Sequence, residues 1–241
     1  MKLGIGTVQF GQKYGISNNL EIPNKKQIKK ILYFLYEKNI DYIDTAFLYG
    51  LSEKKIGELS PPQNKFKIIT KTIKVSGSEV TKSDLINFKD KIQESLEFLK
   101  RKRIYALLVH RENDILKPGF EELYNHLLKL KMNGTVKKIG FSSYEPVIAE
   151  RILKKVNLDI IQIPLNILNQ AYLQKNILKV FKKNKIEIHA RSVFDQGILA
   201  ENENALNLDI EEEKKKKIKN LLIVLNQKNY SLFETAIWFI K

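Results

Sequence analysis

The chain contains no cysteine. That absence excludes disulfides, thiolate catalysis and cysteine-ligated zinc. Histidine is scarce as well: there are 3, at positions 110, 126 and 189. No His-x-His pattern follows the first strand signal, so the ligands of a metal-dependent barrel hydrolase are missing, and no metal is expected. Arginine is represented only by Arg101, Arg103, Arg111, Arg151 and Arg191. No apolar run approaches the roughly 20 residues a membrane helix needs, and Met1-Lys2-Leu3-Gly4 does not open a signal peptide. The expectation is a cytoplasmic protein with no membrane partner.

What the chain does have is enough apolar content for one core. Its 241 residues are 43% hydrophobic, and no break in composition marks a boundary, so residues 1–241 read as one domain. The net charge is 42 − 27 = +15, which invites a nucleic-acid reading. The excess is almost entirely lysine spread over helix faces, as at Lys25, Lys26, Lys29 and Lys30 or Lys214 to Lys217. No interleaved aromatics offer a stacking platform, so a solvated lysine coat is the better reading and no nucleic acid is expected.

Strand and helix signals alternate along the chain. Leu3 to Thr7 reads as a first strand, and its Gly4-x-Gly6 resembles the start of a dinucleotide fingerprint. That reading fails because Gln9 stands where the third glycine belongs and no helix is expected to open there. The glycines suit a close approach of backbone to a ligand instead. Asn24 with Gln27 forms a capping box ahead of an apolar face at Ile28, Ile31, Leu32 and Leu35. Further strands end at Asp44, Lys71, His110, Phe141, Ile163 and Arg191, with helices near Ser52–Leu59, Leu85–Leu99, Leu123–Leu130, Pro146–Val156 and Leu173–Asn184 between them. After the seventh strand, Ile218, Leu221, Leu222 and Leu225 keep helical spacing, and Ser231 with Glu234 caps a last helix over Leu232–Ile240.

Seven strands with short crossovers predict an α/β fold with a parallel sheet. A polar residue ends nearly every one: Thr7, Asp44, Lys71, His110, Ser142, Gln162 and Arg191. A barrel directs all those ends to one mouth, whereas a doubly wound open sheet concentrates chemistry at one switch point. The expectation is therefore a (β/α)8 TIM barrel that is C-terminally incomplete, with seven strands visible in the sequence.

Ile43-Asp44-Thr45-Ala46 with Tyr49-Gly50, Ile69-Thr70-Lys71, Leu108-Val109-His110, Gly134 to Ser142 and Ile161 to Asn166 follow one another in an order that resembles the aldo-keto reductases over almost the whole chain. The resemblance implies a catalytic set of Asp44, Tyr49, Lys71 and His110. Tyr49 would protonate a carbonyl oxygen, Lys71 would stabilise its phenolate, Asp44 would hold the lysine, and His110 would orient the carbonyl. It further implies cofactor contacts at Gly6, Thr7, Ser142, Ser143, Gln162, Arg191 and Ser192, and substrate contacts at Val8, Leu48 and Arg111. The cofactor would be NADP(H), with NAD(H) as the alternative. The function implied is NAD(P)H-dependent reduction of an aldehyde or ketone, sugar-derived ones included, by a monomer or weak oligomer. A non-catalytic, cofactor-binding regulatory protein is the alternative.

Two positions depart from the commonest pattern of that family. Ser143 stands where many members have asparagine, and Arg191 where many stack a tyrosine on the nicotinamide. The run Ile188 to Gly197 resembles a bacterial subgroup with arginine there, and a planar guanidinium can stack as a ring does. Tyr14 and Tyr42 read as packing residues, His126 as a surface helix residue and His189 as a hydrogen-bonded core histidine.

Overall fold

Short, mostly apolar segments bounded by turn residues form the strands, the central ones largely buried on both faces; the amphipathic segments between them form the helices that cover the sheet. The computed structural model describes residues 2–18, 21–174 and 176–241. Its strands are β1 (Gly4–Gly6), β2 (Tyr42–Asp44), β3 (Lys67–Lys71), β4 (Ile104–Val109), β5 (Val136–Ser142), β6 (Ile160–Pro164) and β7 (Glu187–Arg191). All pair in parallel, in the order β1-β2-β3-β4-β5-β6-β7 with no reversal. A doubly wound sheet would reverse that order, so the barrel expectation holds. Among the described residues β1 and β7 each have a single neighbour, and the barrel is incomplete.

The sheet curls, because side chains of distant strands touch across its interior. The Tyr42 ring on β2 meets the His189 ring on β7 edge-on at 5.5 Å. Tyr105 on β4 donates to Glu187 on β7 at 2.7 Å. Towards the other end, Gln162 on β6 donates to Asp44 on β2 at 2.5 Å. Tyr42 is therefore a packing residue, as its sequence suggests. His189 is hydrogen-bonded, to Glu187 at 2.6 Å, but is half-buried rather than enclosed.

The helices are α1 (Val8–Gly11), α2 (Lys25–Glu37), α3 (Ser52–Leu59), α4 (Lys82–Phe98), α5 (Phe120–Met132), α6 (Pro146–Leu153), α7 (Ala171–Gln174), α8 (Ile177–Lys183), α9 (Glu212–Asn226) and α10 (Leu232–Ile240). Two expectations are corrected here. A one-turn helix does open at Val8, directly after the first strand, and is too short to leave a periodicity in the sequence. The helix expected over Leu173–Asn184 begins earlier, as α7, and continues as a separate α8, with Lys175 outside the described residues.

The main core lies between the sheet and α2, α4, α5, α6 and α8, where Ile28, Leu32, Phe88, Ile92, Leu123, Leu127, Ile152 and Phe181 are buried. A second cluster joins Ile218, Leu222 and Leu225 of α9 and Leu232 and Ala236 of α10 to Ile198 and Leu199. Those two lie on the segment after β7, so the last helices brace the β7 loop. Phe233 of α10 stacks on Phe194 of that loop at 5.1 Å. Among the described residues no helix is long and apolar enough to cross a membrane.

Candidate active site

The loops at the C-terminal ends of the strands enclose a cavity of about 550 Å³. Close backbone contacts fix its floor. Gly50 adopts φ +56, and a Cβ there would lie 2.6 Å from the Gly11 carbonyl, so these glycines let α1 and the loop carrying Tyr49 touch. The buried Ser52 hydroxyl donates to the Thr7 carbonyl at 2.9 Å and lies 3.1 Å from the Thr45 hydroxyl. The start of α3 is thereby tied to the ends of β1 and β2.

On that floor the four residues expected to act together lie together. The Lys71 ammonium, 2% exposed, bonds Asp44 Oδ1 at 2.8 Å, Asp44 Oδ2 at 2.9 Å and the Thr45 carbonyl at 2.8 Å. It also stands 5.0 Å from the Tyr49 ring centroid. The His110 ring faces the Tyr49 ring edge-on at 5.9 Å. Burial lowers the lysine's pKa, opposed by Asp44.

Burial dominates the electrostatics of the site. Burial first, and the Asp44 charge second, push the Tyr49 phenol above its ordinary value, although Lys71 is close. The charge of Arg191 acts in the opposite direction. His110 is pushed down to about 3, by burial first and then by the charges of Lys71, Lys74 and Arg191. At neutral pH the site thus holds a protonated phenol beside a neutral imidazole.

Of the residues the sequence points to, Gly6, Thr7, Val8, Asp44, Leu48, Tyr49, His110, Ser142, Arg191 and Ser192 line the cavity. Lys71 and Gln162 stand behind it, both bonded to Asp44. Ser143 is fully buried: it donates to Glu112, accepts from Tyr172 at 2.5 Å, and so faces away from the cavity. Arg111 is exposed and outside the lining. Arg191 donates to the Ser143 carbonyl at 2.9 Å and lies 4.2 Å from the Tyr144 ring centroid.

Lys74, Tyr144, Phe194 and Gln196 also line the cavity, although no motif marks them in the sequence. Tyr14, read as packing, also borders the cavity and is exposed. The loop carrying Tyr14 meets the loop after β7, where the Ile16 amide donates to the Gln196 carbonyl at 3.0 Å. This contact spans the mouth between the two open sheet edges.

The residues present fit a nicotinamide. Buried polar atoms in folded proteins nearly always have partners, yet His110 Nδ1, Gln162 Oε1 and Arg191 Nε have none. All three border or back the cavity. A Cβ on Gly6 would meet nothing within 4 Å, so backbone there is open to an approaching group.

A parallel curled sheet with a Tyr, Lys, Asp and His gathered at its C-terminal mouth defines a barrel-type protein with an enzyme-like site. A profile of the Aldo/keto reductase family matches residues 2–240, and the chain belongs to that family. The family uses nicotinamide cofactors. A D-threo-aldose 1-dehydrogenase from a Pseudomonas species is 27% identical over 202 residues, covering 72% of this chain and 61% of the relative. The chain therefore spans less than two thirds of that protein's length. The glycerol dehydrogenase of Gluconobacter oxydans superposes with a TM-score of 0.71 at 20% identity, covering 98% of this chain and 78% of its own. An aldo-keto reductase from Bacillus halodurans in its holo form gives 0.65 at 22%, covering 82% and 64%. At such identities the two structures show a shared fold.

Proposed function

We propose that the protein is a nicotinamide-dependent oxidoreductase interconverting an aldehyde or ketone with its alcohol. The observation that carries this is the contact of Lys71 with Asp44 beneath Tyr49 and His110, at a cavity with three unpartnered buried polar atoms. The likeness to a D-threo-aldose 1-dehydrogenase favours sugars as the first compounds to try.

In the reducing direction Tyr49 gives its proton to the carbonyl oxygen. Burial and Asp44 keep that proton in place at neutral pH, so it is available when charge develops on the oxygen. The Lys71 ammonium, fixed by three bonds, steadies the phenolate that remains. Neutral His110 orients the carbonyl by a hydrogen bond. The cofactor, NADP(H) or NAD(H), supplies the hydride when bound. Gln162 Oε1 and the Ser142 hydroxyl would meet its carboxamide, while Gly6, Thr7, Arg191 and Ser192 would line its cleft. Ser143, with its hydroxyl turned to Glu112 and Tyr172, serves by fixing the loop rather than by contact.

Tyr49→Phe tests the assignment. It should lower kcat by about 10²–10⁴-fold, the usual contribution of a positioned acid, while cofactor affinity by fluorescence titration stays within a few fold. Unchanged turnover of an aldehyde would remove Tyr49 from the reaction.

A further inference from the structure

The cavity carries positive charge that proton transfer does not use. Lys74 lies three residues beyond Lys71, on the loop after β3, and lines the cavity. No ion pair or hydrogen bond engages its ammonium among the described residues. Lys117, which bonds the carbonyl of Val75, is by contrast held at both Val75 and Asp114. Arg191 is the other cation of the lining. The one lining carboxylate among the described residues is Asp44, and Lys71 and Gln162 already satisfy it.

The two cations occupy different sides. Arg191 ends β7 and is bonded to Ser143 and Ser192. Lys74 follows β3, the neighbour of β4, and so stands beside His110 and the carbonyl end of the cavity. Both lower the affinity of His110 for a proton, so their fields reach the imidazole. Arg111, which the resemblance places among the substrate contacts, is outside the lining.

We infer that Lys74 is a specificity-determining residue that selects carbonyl compounds bearing a carboxylate or phosphate close to the reacting carbon. This rests on the oxidoreductase reading above. A lysine ammonium is a compact point charge on a flexible stem, which accepts either anion without demanding bidentate geometry.

The experiment compares kcat/KM for succinic semialdehyde against butanal, and for glyceraldehyde 3-phosphate against glyceraldehyde. Wild type, Lys74→Met and Lys74→Arg are run in parallel, and succinate and inorganic phosphate are titrated into each by calorimetry. In at least one pair the anionic-to-neutral ratio should fall about threefold in Lys74→Met and recover in Lys74→Arg, as expected of a charge contact at an exposed position. The matching anion should lose affinity to the same extent. The pair that responds identifies the anion. Turnover with equal ratios in wild type and Lys74→Met would overturn the inference and leave the oxidoreductase reading intact. If no carbonyl compound is turned over, that reading fails and the titrations decide alone: affinity that depends on Lys74 upholds the anion site, and equal affinity overturns it.

Discussion

His110 illustrates how one residue couples site and stability. Its folded pKa, about 3, lies below the ordinary histidine value of 6.5. The unfolded chain therefore binds a proton between those values that the folded chain refuses, and stability falls as pH drops from 6.5 towards 3. His110→Gln should flatten that part of the curve, measured by urea unfolding at a series of pH values. The same depression means that kcat/KM should show no ionisation near 6.5 that His110→Gln abolishes. Residue types at strand ends were legible in the sequence: Asp44, Tyr49, Lys71 and His110 each follow an apolar segment. Lys74, Tyr14 and Tyr144 were not, because they sit on loops and only the three-dimensional path turns them inward. Glu112 was also invisible. A glutamate after a strand reads as solvated, yet it is buried against Ser143, and burial raises its pKa.

Among elements, the helices with chemical stop and start signals were the most legible. Asn24 and Gln27 exchange side-chain and backbone bonds at 3.0 and 2.9 Å, and Ser231 with Glu234 does the same at α10. Asn24→Ala should cost about 1 kcal/mol of stability by urea unfolding with little change in activity. A one-turn helix such as α1 has no period to detect, which is why it was missed. Its placement depends on the Gly11–Gly50 contact, between its own last residue and a loop far along the sequence. Gly50→Ala combines a left-handed φ with a carbonyl 2.6 Å from the new Cβ. It should destabilise the fold and, by shifting the residue beside Tyr49, lower kcat more than Asn24→Ala does.

At the scale of the whole molecule, strand order was legible because each crossover is short and each strand ends in a polar residue. The curl was implied by those polar ends, whereas the contacts that hold it, such as Gln162 with Asp44, were not legible. The edges have a measurable signature. The Glu187 amide donates to Asp159, towards β6, so by alternation the amides of Ile188 and Ala190 point to the open side. Their hydrogen exchange should be orders of magnitude faster than that of Leu107 and Ile161, which lie within the sheet and are buried. Equal protection would mean that another strand covers the edge in solution.

A curled ribbon with two loose margins has no reason of its own to keep one radius. Here contacts cross the interior, at the rim the Ile16 amide on the Gln196 carbonyl and at the base the ring of Tyr42 on that of His189 and Tyr105 on Glu187. The bore of the vessel is then set by these fastenings together with the ladders between staves. Loosening the rim clasp would let the vessel flare, moving Tyr14 and Phe194 apart while Lys71 and Asp44 stay seated deep on the floor. Capacity and chemistry are in this way mechanically separable: the first can breathe without disturbing the second.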